Sequence, residues 1–167
     1  MCSSDLPRIL LLITRPVIIV KQQAMNIYLD IDGVLRGAVS PVEDRVKLLD
    51  YILTNFPDST YWLTTHCRQD YNHTRAALLN SDLPKGLVER ASTTVQPTNF
   101  AVLKTDAIDF DKPFIWLDDN LFESEQKVLE THDCLVNHFS MNPRDPEMAK
   151  KALALIKKLK EENVNTY

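Results

Sequence analysis

The sequence predicts an α/β fold, a three-layer Rossmann-like arrangement in which a mainly parallel sheet carries helices on both faces. Three observations predict it. From residue 26 onward, short apolar runs alternate with longer amphipathic stretches, the pattern of strands wound in turn with helices. The runs at Ile27 to Ile31, Thr60 to Leu63 and Pro113 to Leu117 each meet polar or acidic residues at their ends. A 44% hydrophobic share over 167 residues suits one domain with a real core and leaves little room for a second.

The elements follow in order. Ile27 to Ile31 is a strand stopped by Asp32-Gly33. Ser40-Pro41-Val42-Glu43 combines a capping box with proline at the first helical position, so a helix is expected to start there. Its apolar residues Val42, Val46, Leu49, Leu53 and Phe56 recur at steps of three and four, one stripe facing a sheet. Thr60 to Leu63 is a second, β-rich strand running into Thr64-Thr65-His66-Cys67-Arg68. Residues 70 to 98 are the least legible: a helix around His73 to Leu79, then irregular chain with a short strand near Leu87 to Glu89. Asn99 to Asp109 suits a short helix carrying Lys104, and Pro113 to Leu117 a strand ending in Asp118-Asp119-Asn120. A helix at Phe122 to Glu130 and a strand at Cys134 to Phe139 come next. A last helix opens at Asp145-Pro146 with Ala149, Ala152, Leu153, Ile156 and Leu159 inward.

The first 24 residues read as an extension outside the fold, with 25–167 forming the single domain. Ile9 to Ile13 and Val17 to Val20 are apolar but split by Thr14, Arg15 and Pro16, and neither run can span a bilayer. A signal peptide wants an early positive charge and an unbroken apolar stretch, whereas here Asp5 precedes Arg8 and Arg15 interrupts. No membrane partner is expected. Cys2, Cys67 and Cys134 are odd in number and far apart, which argues against a disulfide framework or a zinc knuckle and for a reducing, cytoplasmic setting. The formal charge of −4 excludes a broadly basic surface for non-specific nucleic-acid binding, while leaving room for a local basic groove.

In open parallel sheets ligands sit beyond the carboxyl ends of the strands, so the residues just after each strand can meet. Here these are Asp30 and Asp32, Thr64 and Thr65, and Asp118 and Asp119, with Lys104 leading towards the last pair. Such a set suits phosphoryl transfer, where catalysis is mostly positioning and charge stabilisation. Clustered carboxylates beside a dianion require a hard cation, and oxygen-only ligands suit Mg²⁺. Lys104 would add positive charge across a phosphate-sized gap from Asp30. A threonine hydroxyl would donate to a phosphate oxygen, and Asp32 would protonate the leaving oxygen and later activate water. Two of only three glycines, Gly33 and Gly37, fall just after the aspartate pair, where close turning is needed.

At these residues the sequence resembles the haloacid-dehalogenase-like (HAD-like) hydrolases over about Asn26 to Leu159. Asp30-Ile31-Asp32-Gly33-Val34-Leu35 is similar to that family's first motif, D-x-D-G-x-L after an apolar strand. Tyr61-Trp62-Leu63-Thr64 resembles the second, Lys104 the third, and Phe114-Ile115-Trp116-Leu117-Asp118-Asp119 the fourth. The resemblance implies a HAD-like phosphatase with Asp30 as nucleophile and Asp32 as acid and base. Asp30, Asp32, Asp118 and Asp119 would hold Mg²⁺, and Gly33, Thr64, Thr65 and Lys104 would bind substrate. Only Arg36 to Ser40 separates the first motif from its helix, so no large cap is expected and the site should be open. Trp62-Leu63-Thr64-Thr65, Lys104-Thr105-x-Ala107-Ile108 and Trp116-Leu117-Asp118-Asp119 look most similar to the small capless domains of RNA-repair proteins. That makes an RNA or nucleotide end the first substrate to consider.

Other readings stand beside these. Thr64 and Thr65 point to opposite sides if the strand continues, and Thr64 lies closest to the apolar run. Lys112 precedes its strand and belongs at the far end of the sheet, which favours Lys104. Asp119 is either a ligand or a helix cap, and Arg68 either a substrate contact or a solvated charge. His66, Cys67 and His73 match no standard zinc spacing. Lys157, Lys158 and Lys160 suit the solvated face of the last helix. A response-regulator receiver uses similar residues in another order, with the acidic pair first. A non-catalytic phosphate-binding module and a phosphatase of small metabolites are the remaining alternatives.

Overall fold

The structure is a computed structural model that describes residues 24–66 and 71–164. The expectations for the amino-terminal extension, Cys67 and Arg68 fall outside them. Strands β1 (Asn26–Leu29), β2 (Thr60–Trp62), β3 (Phe114–Asp118) and β4 (His138–Ser140) form an all-parallel sheet in the order β2-β1-β3-β4. Helices α1 (Val42–Asn55), α2 (Tyr71–Leu79), α3 (Lys85–Thr94), α4 (Glu123–Thr131) and α5 (Met148–Val164) alternate with the strands. The fold is therefore α/β and Rossmann-like. Among the described residues, no helix is long and apolar enough to cross a membrane.

β1 and β3 are buried at every position, as continuous apolar strands at the centre of a parallel sheet should be. Ile27 pairs with Thr60 on one side and Ile115 on the other. After β1 the chain moves out to β2, then returns to place β3 on the opposite side of β1. The winding reverses between β1 and β3, and the crevice beyond their carboxyl ends is where open α/β sheets bind ligands.

Several elements differ from the sequence expectations, each for a local reason. No strand forms near Leu87; α3 occupies that stretch, with Pro84 at its start and Val88, Ala91 and Ser92 buried at helical spacing. The chain then touches the sheet through a single bridge from Gln96 to Tyr61, beside the edge of β2. β4 is only three residues long, preceded by a 3₁₀ turn at Leu135–Asn137. In α1 the buried stripe is Leu48, Leu49, Ile52 and Leu53, while Val42 and Val46 lie at its margin.

Ser40 does not cap α1, whose start makes no side-chain cap bond. Its hydroxyl instead donates to the Asp145 carbonyl (3.2 Å) and accepts from the Ala149 amide (3.4 Å), tying the loop after β1 to the first turn of α5. Arg45 is buried on the same helix. It donates to the Leu35 and Ser40 carbonyls and, through both terminal nitrogens, to Asp82 (2.6 and 2.7 Å). The loop carrying Asp30 and Asp32 is thereby anchored from beneath by buried polar contacts.

Candidate functional site

The site grows from the carboxyl end of β1. Asp30 follows the last strand residue and is almost fully buried, at 6% exposure. Its Oδ1 accepts the Ile31 amide (2.7 Å) and its Oδ2 accepts the Lys104 ammonium (2.8 Å). After Asp30 the chain folds back on itself. The amides of Val34, Leu35 and Arg36 all donate to the Ile31 carbonyl, and Gly33 donates to the Arg36 carbonyl. Gly33 and Gly37 adopt φ of 74° and 75°, a region where side chains are disfavoured. At Gly33 the constraint is also spatial, because a β-carbon there would collide with the Asp119 carboxylate.

Lys104 enters from a 3₁₀ turn (Lys104–Ala107) and is buried between two acids. Its ammonium lies 2.8 Å from Asp30 and 2.6 Å from Asp118. Burial acts to lower its pKa, but the charges of Asp30 and Asp118 outweigh that and raise it, so the group stays charged. The expected gap between Asp30 and Lys104 is not there: the two are in direct contact, since an ammonium surrounded by low dielectric closes onto the nearest carboxylates. Lys112 pairs instead with Asp109 on the exposed surface (3.1 Å).

Asp118 ends β3 with its side chain wholly buried. Its Oδ2 accepts from Lys104 and from the Trp116 indole (3.1 Å), and its Oδ1 accepts the Asn120 amide (3.0 Å). Burial, then the Asp30 charge, push its carboxyl up to about 7 despite Lys104. Burial and Asp30 also raise partly exposed Asp119. Asp30, Asp118 and Asp119 bring one carboxylate oxygen each to within 4.8 Å of one another.

Three carboxylates thus face one ammonium, which leaves two negative charges uncompensated at close quarters. Burial first, and the Asp30 charge second, raise Asp118 and Asp119. An all-oxygen donor set with this charge fits a hard divalent cation such as Mg²⁺.

Asp32 stands apart from this cluster. It had been expected among the metal ligands, but its half-exposed carboxylate is taken up elsewhere. Arg36 donates through Nε to Oδ1 (2.6 Å), and His66 Nε2 lies 2.8 Å from Oδ2. Burial raises the Asp32 pKa, while the hydrogen bonds from His66 and Arg36 outweigh it and hold the carboxyl below its usual value.

Thr64 is fully buried just past β2, and its hydroxyl accepts the His66 amide (3.4 Å), whereas Thr65 is exposed. The register that pairs Leu29 with Trp62 continues with the Leu63 amide donating to the Leu29 carbonyl, and Thr64 follows directly after that bond.

Several contributors were not legible in the sequence. Glu125, in the first turn of α4, is buried and accepts the Lys104 amide (3.0 Å) and the Phe122 amide (3.2 Å). Its bond to Phe122 is the helix-start half of a capping box and has a sequence signature; its bond to Lys104 has none. The Trp116 indole, Arg36 and His66 likewise join the site only through the fold.

The chain matches no family model, no curated protein and no solved structure. What the site can do is therefore argued from its geometry. A buried carboxylate lies beside an ammonium and two further acids at a strand-end crevice, with a separate, more exposed carboxylate two residues away. The two acids of the pair therefore differ in access, one walled in by the cluster and the other open to solvent.

Proposed function

We propose that the protein is a Mg²⁺-dependent phosphomonoester hydrolase of the HAD-like class, acting through an acyl phosphate formed on Asp30. The observation that carries this reading is the convergence of Asp30, Asp118 and Asp119 around Lys104 at the point where the sheet's winding reverses. The four-motif resemblance and the all-parallel sheet both support a three-layer, HAD-like arrangement.

In this reading an Asp30 carboxylate oxygen attacks phosphorus in line with the leaving oxygen. The phosphorus–oxygen bond to the leaving group breaks as Asp32 delivers a proton to that oxygen. Asp32 then takes a proton from water, which attacks the aspartyl phosphate, releases inorganic phosphate and restores Asp30. Lys104 orients Asp30 and offsets charge on the transferring group. Thr64 supplies a hydroxyl to a phosphate oxygen, and the turn at Gly33 lets the backbone approach closely. Asp30, Asp118 and Asp119 would hold Mg²⁺, which supplies charge neutralisation between nucleophile and phosphate when bound.

The substrate is proposed to be a nucleic-acid end or a nucleotide, supported by the short connections around the site, with no large cap among the described residues. The net charge of −4 argues for contacts confined to the terminal nucleotide rather than to a long backbone. The test is phosphate release, with and without Mg²⁺, from 3′- and 5′-phosphorylated oligonucleotides, nucleotides and sugar phosphates. Mg²⁺-dependent release that Asp30→Asn abolishes supports the reading, and activity confined to small metabolites removes its nucleic-acid part. Hydrolysis by Asp30→Asn at the parent rate overturns it.

A further inference from the structure

We propose that Arg36 and His66 are positioning residues for Asp32, clamping its carboxylate between the loop after β1, the tip of β2 and helix α2. The inference rests on the phosphatase reading, because it assigns these residues to the proton-transfer half of that reaction.

The geometry has three parts. Both Asp32 oxygens are engaged by different side chains, Oδ1 by Arg36 and Oδ2 by His66. His66 Nε2 lies 2.8 Å from Asp32 Oδ2 and 3.3 Å from Arg36 Nη2, so it can donate to the carboxylate when Asp32 is ionised and accept when Asp32 carries the proton. Arg36 gives its remaining terminal nitrogen to the Ala77 carbonyl of α2 (3.2 Å), so the guanidinium reaches across to a separate helix. His66 is fixed in turn, its amide donating to the buried Thr64 hydroxyl two residues earlier.

The plainer reading is an ordinary surface ion pair between residues four apart, of the kind that contributes little to stability. Two features weigh against it. A side chain that is 49% exposed has rotamer freedom to lose, and here it is held from both sides by groups that are themselves only 28% and 29% exposed. The clamp also sits on the more exposed carboxylate of the aspartate pair, the one a departing alcohol can reach. Fixing that carboxylate matters only when a proton must pass between it and a leaving oxygen, and efficient proton transfer requires a hydrogen-bonded approach.

The test separates positioning from a merely structural role through leaving-group dependence. An aryl phosphate with an acidic leaving phenol, p-nitrophenyl phosphate, needs little proton assistance; an alkyl phosphate needs much. The measured quantity is kcat/KM, which covers the bond-breaking step and not the later hydrolysis of the aspartyl phosphate. Parent, Asp32→Asn, Arg36→Gln, His66→Asn and Asp30→Asn are compared on both substrates with saturating Mg²⁺, each with its thermal unfolding recorded.

Asp32→Asn should lose far more on the alkyl than on the aryl ester. Arg36→Gln and His66→Asn should show the same selectivity at smaller scale, an alkyl loss about ten-fold greater than the aryl loss. Equal losses on both esters in the two clamp variants, or no loss on either, overturn the proposal while Asp32→Asn keeps its selectivity. If instead Asp32→Asn shows no selectivity, or Asp30→Asn retains turnover, or the parent shows none, the phosphatase reading fails and the clamp falls with it. Should one clamp variant unfold, the other decides alone.

Discussion

The two aspartates of the Asp30-Ile31-Asp32 motif, separated by a single residue, live in opposite environments. Asp30 is buried against Lys104 and Asp118, in a cluster short of positive charge. Asp32 sits half-exposed at the rim, where Arg36 supplies positive charge and both Arg36 and His66 make hydrogen bonds. The tight turn stacked on the Ile31 carbonyl makes the difference, since it ends the strand and turns the second acid outward. The contrast teaches that the buried cluster is short of positive charge, while the rim acid already has an arginine and a histidine bonded to it.

The largest test of that contrast is at Asp30. Asp30→Asn should lower Mg²⁺-dependent phosphate release by at least about a thousand-fold, because the attacking oxygen is gone. Asp32→Asn should be milder on aryl phosphates, where proton delivery matters least. Steady-state rates on the same ester compare them, and an equal loss would mean that the two acids do not divide the work.

Next in size is the cation itself. A carboxyl whose folded pKa lies above its unfolded value binds its proton more tightly in the native state. Its contribution to stability is full below the unfolded value and is lost as pH rises through the folded one. For Asp118 that window runs from 3.8 to about 7. Metal-free protein should therefore lose stability from this group between about pH 4 and pH 7. Mg²⁺, binding the ionised cluster, should raise the unfolding temperature more at pH 8 than at pH 5. Thermal unfolding with Mg²⁺ against chelator checks this, and an equal shift at both pH values would count against the charge deficit.

The glycine pair sharpens the comparison on a smaller scale. Gly33 and Gly37 share nearly the same φ, but alanine at Gly33 meets the Asp119 carboxylate, whereas alanine at Gly37 meets nothing within 4 Å. Each substitution should cost about 1–2 kcal/mol for the backbone conformation. Only Gly33→Ala should also weaken Mg²⁺ binding, by displacing Asp119. Titration calorimetry with Mg²⁺ separates the two, and equal affinities would remove Asp119 from the cation's ligands.

What the sequence revealed and what it hid follow from the range of the contacts. Asp30, Asp118 and Asp119 are legible because an apolar strand followed by charge is a local pattern and parallel sheets gather strand ends on one edge, whereas Lys104 follows no strand and is singled out by the resemblance. The partners of Asp32 are not: His66 meets it only when β1 and β2 are packed, and Arg36, four residues on, reaches it only through the tight turn after β1. Glu125 hid for the same reason: its link to Lys104 crosses 21 positions. Ser40 carried a convincing cap signature yet serves α5, because a hydroxyl at a helix start will take whichever amides the packing presents. At Leu87 to Glu89 an apolar pair suggested a strand, and only the longer spacing Val88, Ala91, Ser92 marks the helix.

The smallest expected effect concerns the lysine that the fold leaves outside. Lys112 and Asp109 form an exposed pair, with each side chain between 40% and 47% accessible. Such pairs gain little Coulomb energy in water and give up side-chain freedom, so Lys112→Ala should leave both stability and phosphate release close to those of the parent. Lys104→Met is the contrasting case. It strands two carboxylates in the interior, and breaking a buried pair in this way costs about 3–5 kcal/mol in metal-free protein. Part of that loss should return on adding Mg²⁺, because a divalent ion can replace the missing charge between Asp30 and Asp118. Denaturant unfolding of both variants, with and without Mg²⁺, measures the difference. If Lys112→Ala proved as costly as Lys104→Met, the division between a charge-starved interior and a well-compensated surface would be wrong at its root.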